Sequence, residues 1–263
     1  MDNQVKHTSP VYLETLAELG ISRHLGGNQA TKQLISLCHI DQSKYVLDVG
    51  CGTGKSTCNL VKRTGCRVMG VDISVKMVEW ARQRASREKL EGRVEFRQAD
   101  AQNLPFENDH FDAIVCESVL VFVPDPHKAL SEYIRVTKPG GYVGLNESGW
   151  LKPGASPELC ALLTKNFGTS QLEPLTTWEQ LVEGSDLHET RTQTFRLTPL
   201  GDLLNRARYF GLRDMVGNLK RIRALVRTDT PEAQEVKELL RMSRNQPKDM
   251  YTYFGYGIYT GRK

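Results

Sequence analysis

The chain has 263 residues, 39% of them hydrophobic and 25% charged, with 35 lysines and arginines against 31 acids. That length suits one elaborated α/β domain and that balance an ordinary soluble globular protein, with no apolar run near the ~18 residues of a membrane helix. A formal net charge of +4 is too small to imply nucleic acid by itself, and the opening MDNQVKHTSP lacks an apolar stretch behind a basic one, so a cytoplasmic protein without an export signal is expected.

In chain order, HLGGNQATKQLISLCHI (24–40) reads as a helix with Gly26-Gly27 as a turn or hinge ahead of it and Asn28 as its N-cap. Short apolar runs then alternate with helical patterns. The runs are YVLDV (45–49), RVMGVD (67–72), RVEFRQAD (93–100), FDAIVCES (111–118) and GYVGLNE (141–147). Most are apolar on both faces, as strands inside a parallel sheet must be, whereas the polar alternation of RVEFRQAD places it near an edge. Residues 54–64, 74–87 and 127–137 are long enough for crossover helices; in the second, Met77, Trp80, Ala81 and Ala85 recur at helical spacing as one buried stripe. KPGG (138–141) signals a turn before the fifth strand.

Beyond that strand the rhythm breaks. Residues 157–167 and 176–183 read as helices, and LHETRTQTFRL (187–197) as a non-central strand. Residues 198–248 read as a helical insertion, and MYTYFGYGIYTG (250–261) as a final aromatic strand packed in the core. The six cysteines contain no CxxC pair and the six histidines no i, i+4 pair, so neither a disulfide framework nor a metal site is expected.

The stretch VLDVGCGTGKST (46–57) decides between three nucleotide-handling machines. A P-loop needs its first glycine where Val49 stands, although Gly54-Lys55-Ser56 supplies its second half. A dinucleotide site needs G-x-G-x-x-G, and the pattern is instead Gly50-x-Gly52-x-Gly54 preceded by Asp48. A carboxylate there would repel a pyrophosphate but accepts hydrogen bonds from an ammonium. S-adenosylmethionine, with its ammonium, ribose hydroxyls and positive sulfonium, meets that requirement. Ligands of open parallel sheets bind off the carboxyl ends of the strands, where Asp48, Asp72, Asp100 and Glu117 all fall.

These residues resemble the class I S-adenosylmethionine-dependent methyltransferases, from about Gly26 to Glu147. VLDVGCGTG is similar to motif I, and VMGVDIS (68–74) to motif II, which implies that Asp72, with Ile73 beside it, takes the ribose hydroxyls. RQADAQNLPF (97–106) resembles the segment whose Asp100 and Ala101 meet the adenine edge, and residues 111–141 resemble the small-molecule branch that includes the quinone-biosynthesis enzymes. The resemblance implies a Rossmann-like sheet of seven mostly parallel strands with helices on both faces. One domain over 1–263, with helical cap elements at about 150–186 and 198–248, follows.

Methyl transfer from a sulfonium is an in-line displacement on an activated carbon, so alignment and exclusion of water supply much of the catalysis. Glu117, Glu147 and His24 are the candidate bases, and the sequence chooses none. CESV (116–119) stands where base-modifying methyltransferases of nucleic acids carry an Asn- or Asp-Pro-Pro-aromatic motif, which disfavours that substrate. A small organic acceptor is expected. Between Arg206 and Arg227 seven cations accompany one acid, Asp214, with Leu212, Met215, Val216, Leu219, Ile222 and Val226 on one helical face. The expectation is a cap helix with that face turned inward and a solvated basic side. A non-catalytic S-adenosylmethionine-binding protein, and an enzyme acting on a membrane-associated lipid or quinone, stay open.

Overall fold

The computed structural model describes residues 10–22, 24–166, 172–244, 247 and 249–263, without the side chains at 10, 166, 203, 206–208, 210–213 and 242–244. Its centre is a seven-stranded sheet: β1 (Tyr45–Val49), β2 (Arg67–Asp72), β3 (Val94–Gln98), β4 (Phe111–Glu117), β5 (Thr137–Trp150), β6 (His188–Arg196) and β7 (Phe254–Arg262). The order across it is β3-β2-β1-β4-β5-β7-β6. The first five strands pair in parallel, and β7 runs antiparallel between β5 and β6. The chain order reverses between β1 and β4, which is where open sheets of this kind hold ligands.

Period-two alternation sends neighbouring strand residues to opposite cores. Val46, Val68, Phe96, Ala113 and Val115 belong to one buried cluster, and Leu47, Met69, Ile114 and Cys116 to the other. The first cluster is covered by α3 (Lys55–Thr64) and α4 (Val75–Glu88), the second by α5 (Pro126–Val136) and α7 (Leu175–Glu183). The remaining helices are α1 (Pro10–Leu19), α2 (Gly27–Leu37), α6 (Pro157–Asn166), α8 (Pro199–Leu225), α9 (Pro231–Arg244) and the single turn α10 (Met250–Tyr253). No helix among the described residues is long and apolar enough to cross a membrane.

β3 and β6 are the edge strands, as their polar alternation implies. Several expectations are corrected. KPGG does not precede β5 but lies inside it as an irregularity, with Gly140 at φ 79° and its N–H on the Lys263 carbonyl. The final aromatic run divides at Phe254, because Met250–Tyr253 coil into a helical turn before β7 starts. Asn28 is not the N-cap of α2: Gly26 is, at φ 76°, and the Asn28 side chain accepts from Asn59 Nδ2 at 3.0 Å. α7 lies on the sheet, its buried Trp178 donating Nε1–H to the Ser148 carbonyl at 3.1 Å. Trp80 leaves the stripe it was expected to join; half-buried, it donates Nε1–H to the Ala17 carbonyl of α1, and Val78 takes its place in the core.

α8 shows the largest reversal. Its expected inward face is outward: Met215, Val216 and Leu219 are 50%, 47% and 47% exposed. The polar face is inward instead, because Asp214 accepts from Lys55 at 2.8 Å and Arg84 at 3.1 Å, and the Arg221 guanidinium lies 4.7 Å over Trp80. Ile222 and Val226 are half-buried, and Leu212, Arg206, Arg208 and Arg213 lie outside the described side chains.

Candidate functional site

The turn after β1 takes its shape from glycines at φ 71°, 52° and 71° (Gly50, Gly52 and Gly54), a region that other residues enter only with strain. Their lack of a side chain serves the protein's own packing. A Cβ on Gly50 would run into the Val119 side chain, and one on Gly52 would stand 2.6 Å from Ser22 Cβ. Both neighbours line the cavity described below. The Gly50 and Cys51 amides donate to the Val71 carbonyl at 2.8 and 2.9 Å, which ties the turn to the end of β2.

Three carboxylates surround this turn. Asp48 ends its run of β1 fully inside the protein and accepts from Thr57 Oγ1 at 2.5 Å. Burial pushes its pKa up to about 7 against that hydrogen bond, with Glu117 and Asp72 adding to the rise. Asp72, at the tip of β2, accepts from the Gly52 amide on one oxygen and the Ser74 amide on the other, each at 2.9 Å. Burial raises it too, while those amides oppose the shift and fix the direction in which its remaining lone pairs point. Glu117, at the end of β4, is raised to about 7 by burial, opposed by hydrogen bonds from Thr31, Asn146 and Ser56.

Glu117 sits in a buried network. Thr31 Oγ1 donates to its two oxygens at 2.9 and 3.1 Å, and His24 Nδ1 is 3.1 Å from Oε2. Burial drives His24 down to about 4, so its imidazole is neutral at pH 7 and this contact is not an ion pair. The network fastens the start of α2 to the strand ends. Glu147, another candidate base, faces away from it: its Oε1 accepts the Val119 and Leu120 amides at 2.9 and 2.8 Å and holds the loop after β4. It does not line the cavity.

That cavity measures about 480 Å³. Asp48, Gly50, Gly52, Asp72, Ile73, Asp100, Ala101 and Glu117 all line it, together with His24. Its acids are Asp48, Asp72, Asp100, Glu117 and Asp202, and among the described residues no lysine or arginine lines it. The same cavity is also lined by the apolar side chains of Leu13, Phe122, Leu163, Leu197, Leu239 and Phe254. Sequence reasoning missed α1, which contributes Tyr12, Leu13 and Leu16. Its signal was Pro10 at the head of a short run whose apolar residues Val11, Leu13, Leu16 and Ala17 fall near helical spacing. Tyr209 of α8 was also missed; its ring stands edge-on to His24 at 5.4 Å, and no spacing in the sequence connects the two.

Residues 47–145 match the family model described as a methyltransferase domain. Over 198 residues, 73% of this chain and 68% of its relative, the sequence is 32% identical to the methyltransferase GfsG of Streptomyces halstedii. The chain belongs to the class I S-adenosylmethionine-dependent methyltransferases. A demethylmenaquinone methyltransferase of Lactiplantibacillus plantarum is 34% identical over 130 residues, 49% of this chain and 53% of that one. The fold is also that of an S-adenosylmethionine-dependent methyltransferase from Geobacter sulfurreducens solved with S-adenosyl-L-homocysteine, at a TM-score of 0.69, 19% identity, and coverage of 96% of this chain and 97% of that one. S-adenosylmethionine is thus the cofactor of this methyltransferase, and the cavity suits it: the buried carboxylates of Asp48, Asp72 and Glu117 favour a ligand that brings positive charge.

Proposed function

We propose that the methyltransferase acts on a small organic acceptor whose body is apolar, and that its donor lies along the carboxylate end of the cavity. The observation that carries this reading is one cavity lined both by buried carboxylates and by a set of large apolar side chains. Bound there, S-adenosylmethionine supplies an activated methyl on a positively charged sulfur. Asp48, Gly50 and Gly52 hold the amino-acid end, and Asp72, with both oxygens oriented by backbone amides, accepts from the ribose hydroxyls. Ile73, Asp100 and Ala101 border the adenine.

The chain's work on the acceptor is mainly placement and exclusion of water by the apolar walls. Where the acceptor carries an acidic O–H or N–H, Glu117 is the proton acceptor, since its pKa of about 7 suits that task better than the weakly basic His24. Incubation with methyl-labelled cofactor and a panel of apolar phenols, amines and carboxylic acids tests the proposal. Label in an organic-extractable product supports it. Tight binding of S-adenosylhomocysteine with no label transferred to any member of the panel or to a metabolite extract would instead identify a non-catalytic binder.

A further inference from the structure

A second cavity, of about 290 Å³, lies between α4, α8 and the outer side of the glycine turn. Lys55, Arg84, Arg87, Lys220 and Arg221 line it, with Asp214 the one carboxylate among its lining residues. Lys55 and Arg84 both bond to Asp214 Oδ2, and Arg87 lies 3.9 Å from Oδ1. Burial alone would raise the Asp214 carboxyl, yet Lys55 and Arg84 hold it below the usual range. Glu88, outside the lining, is shared between Lys62 and Arg84, and Lys220 is exposed with no acid against it among the described residues. The positive charge of this cavity is therefore undercompensated.

Geometry narrows the ligand. Arg221 is fixed by a bond from Nε to the Leu19 carbonyl at 2.6 Å, one from Nη2 to Asn218 Oδ1 at 2.5 Å, and the Trp80 ring beneath it. Arg84 is fixed through Nε on the Thr53 carbonyl at 3.0 Å. Thr53, Glu88 and Asp214 take up the nitrogens of Arg84, so the cations that line the concave wall for a ligand are Arg87 and Lys220 beside the held Arg221 guanidinium, a positive set that suits phosphate oxygens. We propose that this cavity binds a phosphate group, carried by a soluble metabolite or by an anionic lipid headgroup. The lipid source has its own support: Val216 lines the cavity, and with Met215 and Leu219 it forms a half-exposed apolar patch beside the cations. The proposal is independent of the methyl-transfer cavity and of its acceptor.

The test uses the full-length protein, Arg87→Gln/Lys220→Gln, and a charge-matched control, Lys128→Gln/Lys237→Gln, whose lysines are exposed on α5 and α9. Pyrophosphate is titrated calorimetrically, and vesicles of phosphatidylcholine, with and without phosphatidylglycerol, are co-sedimented. Expected is binding in at least one arm, weakened about tenfold by the cavity variant and left unchanged by the control. Met215→Ser/Leu219→Ser separates the sources: it lowers binding to phosphatidylglycerol vesicles if the phosphate is a lipid's, and leaves pyrophosphate binding intact if it is a metabolite's. Binding of neither probe to the wild-type protein, or equal loss in the cavity and control variants, overturns the proposal.

Discussion

Replacing Asp48 by Asn separates what this residue does for the fold from what it does for the ligand. Asn keeps the shape and can still accept from Thr57 Oγ1, but it carries no charge at any pH. A rise from 3.8 to about 7 on burial corresponds to about 4 kcal/mol against the ionised form. Because the folded-state pKa lies above the unfolded one, stability from the protonated carboxyl is complete below 3.8 and lost as pH climbs to about 7. The variant lacks this residue's share of that slope, while Glu117 and Asp72 keep theirs in both proteins. Between pH 5 and pH 8 its advantage over the wild-type protein should therefore grow by about 3 kcal/mol, roughly 6–10 °C in Tm for a chain of this size. Its affinity for S-adenosylhomocysteine should move the other way, falling by about 2–4 kcal/mol, roughly 30- to 1000-fold, as the acceptor for the ligand's ammonium loses its charge. Thermal melts at both pH values and calorimetry at pH 8 measure the two effects. A Tm difference that is the same at pH 5 and pH 8, or a Kd within threefold of wild type, refutes the assignment.

Wild-type affinity for S-adenosylhomocysteine should rise from pH 6 to pH 8 and then level, since Asp48 must shed its proton near pH 7 to face a cation; calorimetry across that range, with proton release read from buffers of different ionisation enthalpy, checks it. Gly50→Ala forces a residue with a side chain to φ 71° and into Val119, which should cost about 2–4 kcal/mol in urea unfolding. Leu239→Gln puts an amide into the apolar lining of the cavity; kcat/KM for an apolar acceptor should fall about tenfold while S-adenosylhomocysteine affinity stays unchanged.

The strands and the carboxylates at their tips were legible because both follow from local rules. A strand buried on both faces must be continuously apolar, and a carboxylate at its end stands out against that background, as Asp48 and Asp72 do after VL and MGV. Trp80 and α8 were misread because periodicity reports which residues share a face and not what that face meets. On α8 the apolar stripe was assumed to turn inward, but a lone acid opposite Lys55 and Arg84 and a planar cation over an indole orient the helix more firmly than Met215, Val216 and Leu219 do. Asp214 was counted in the sequence as the exception in a basic segment, and that exception was the orienting contact.

The glycine turn and the apolar part of the cavity lining are unequally readable for a physical reason. The glycine turn that the carboxylates surround is consecutive backbone, where φ angles and amide directions leave few residue types that fit, so a short stretch of sequence specifies it. The apolar part draws Leu13, Phe122, Leu163, Leu197, Leu239 and Phe254 from six separate parts of the chain, and each position asks only for an apolar group of about the right volume. No spacing rule links them. Substitutions among these positions can reshape the apolar wall without touching the turn or its carboxylates, so under the proposed function acceptor preference can change while donor binding is preserved.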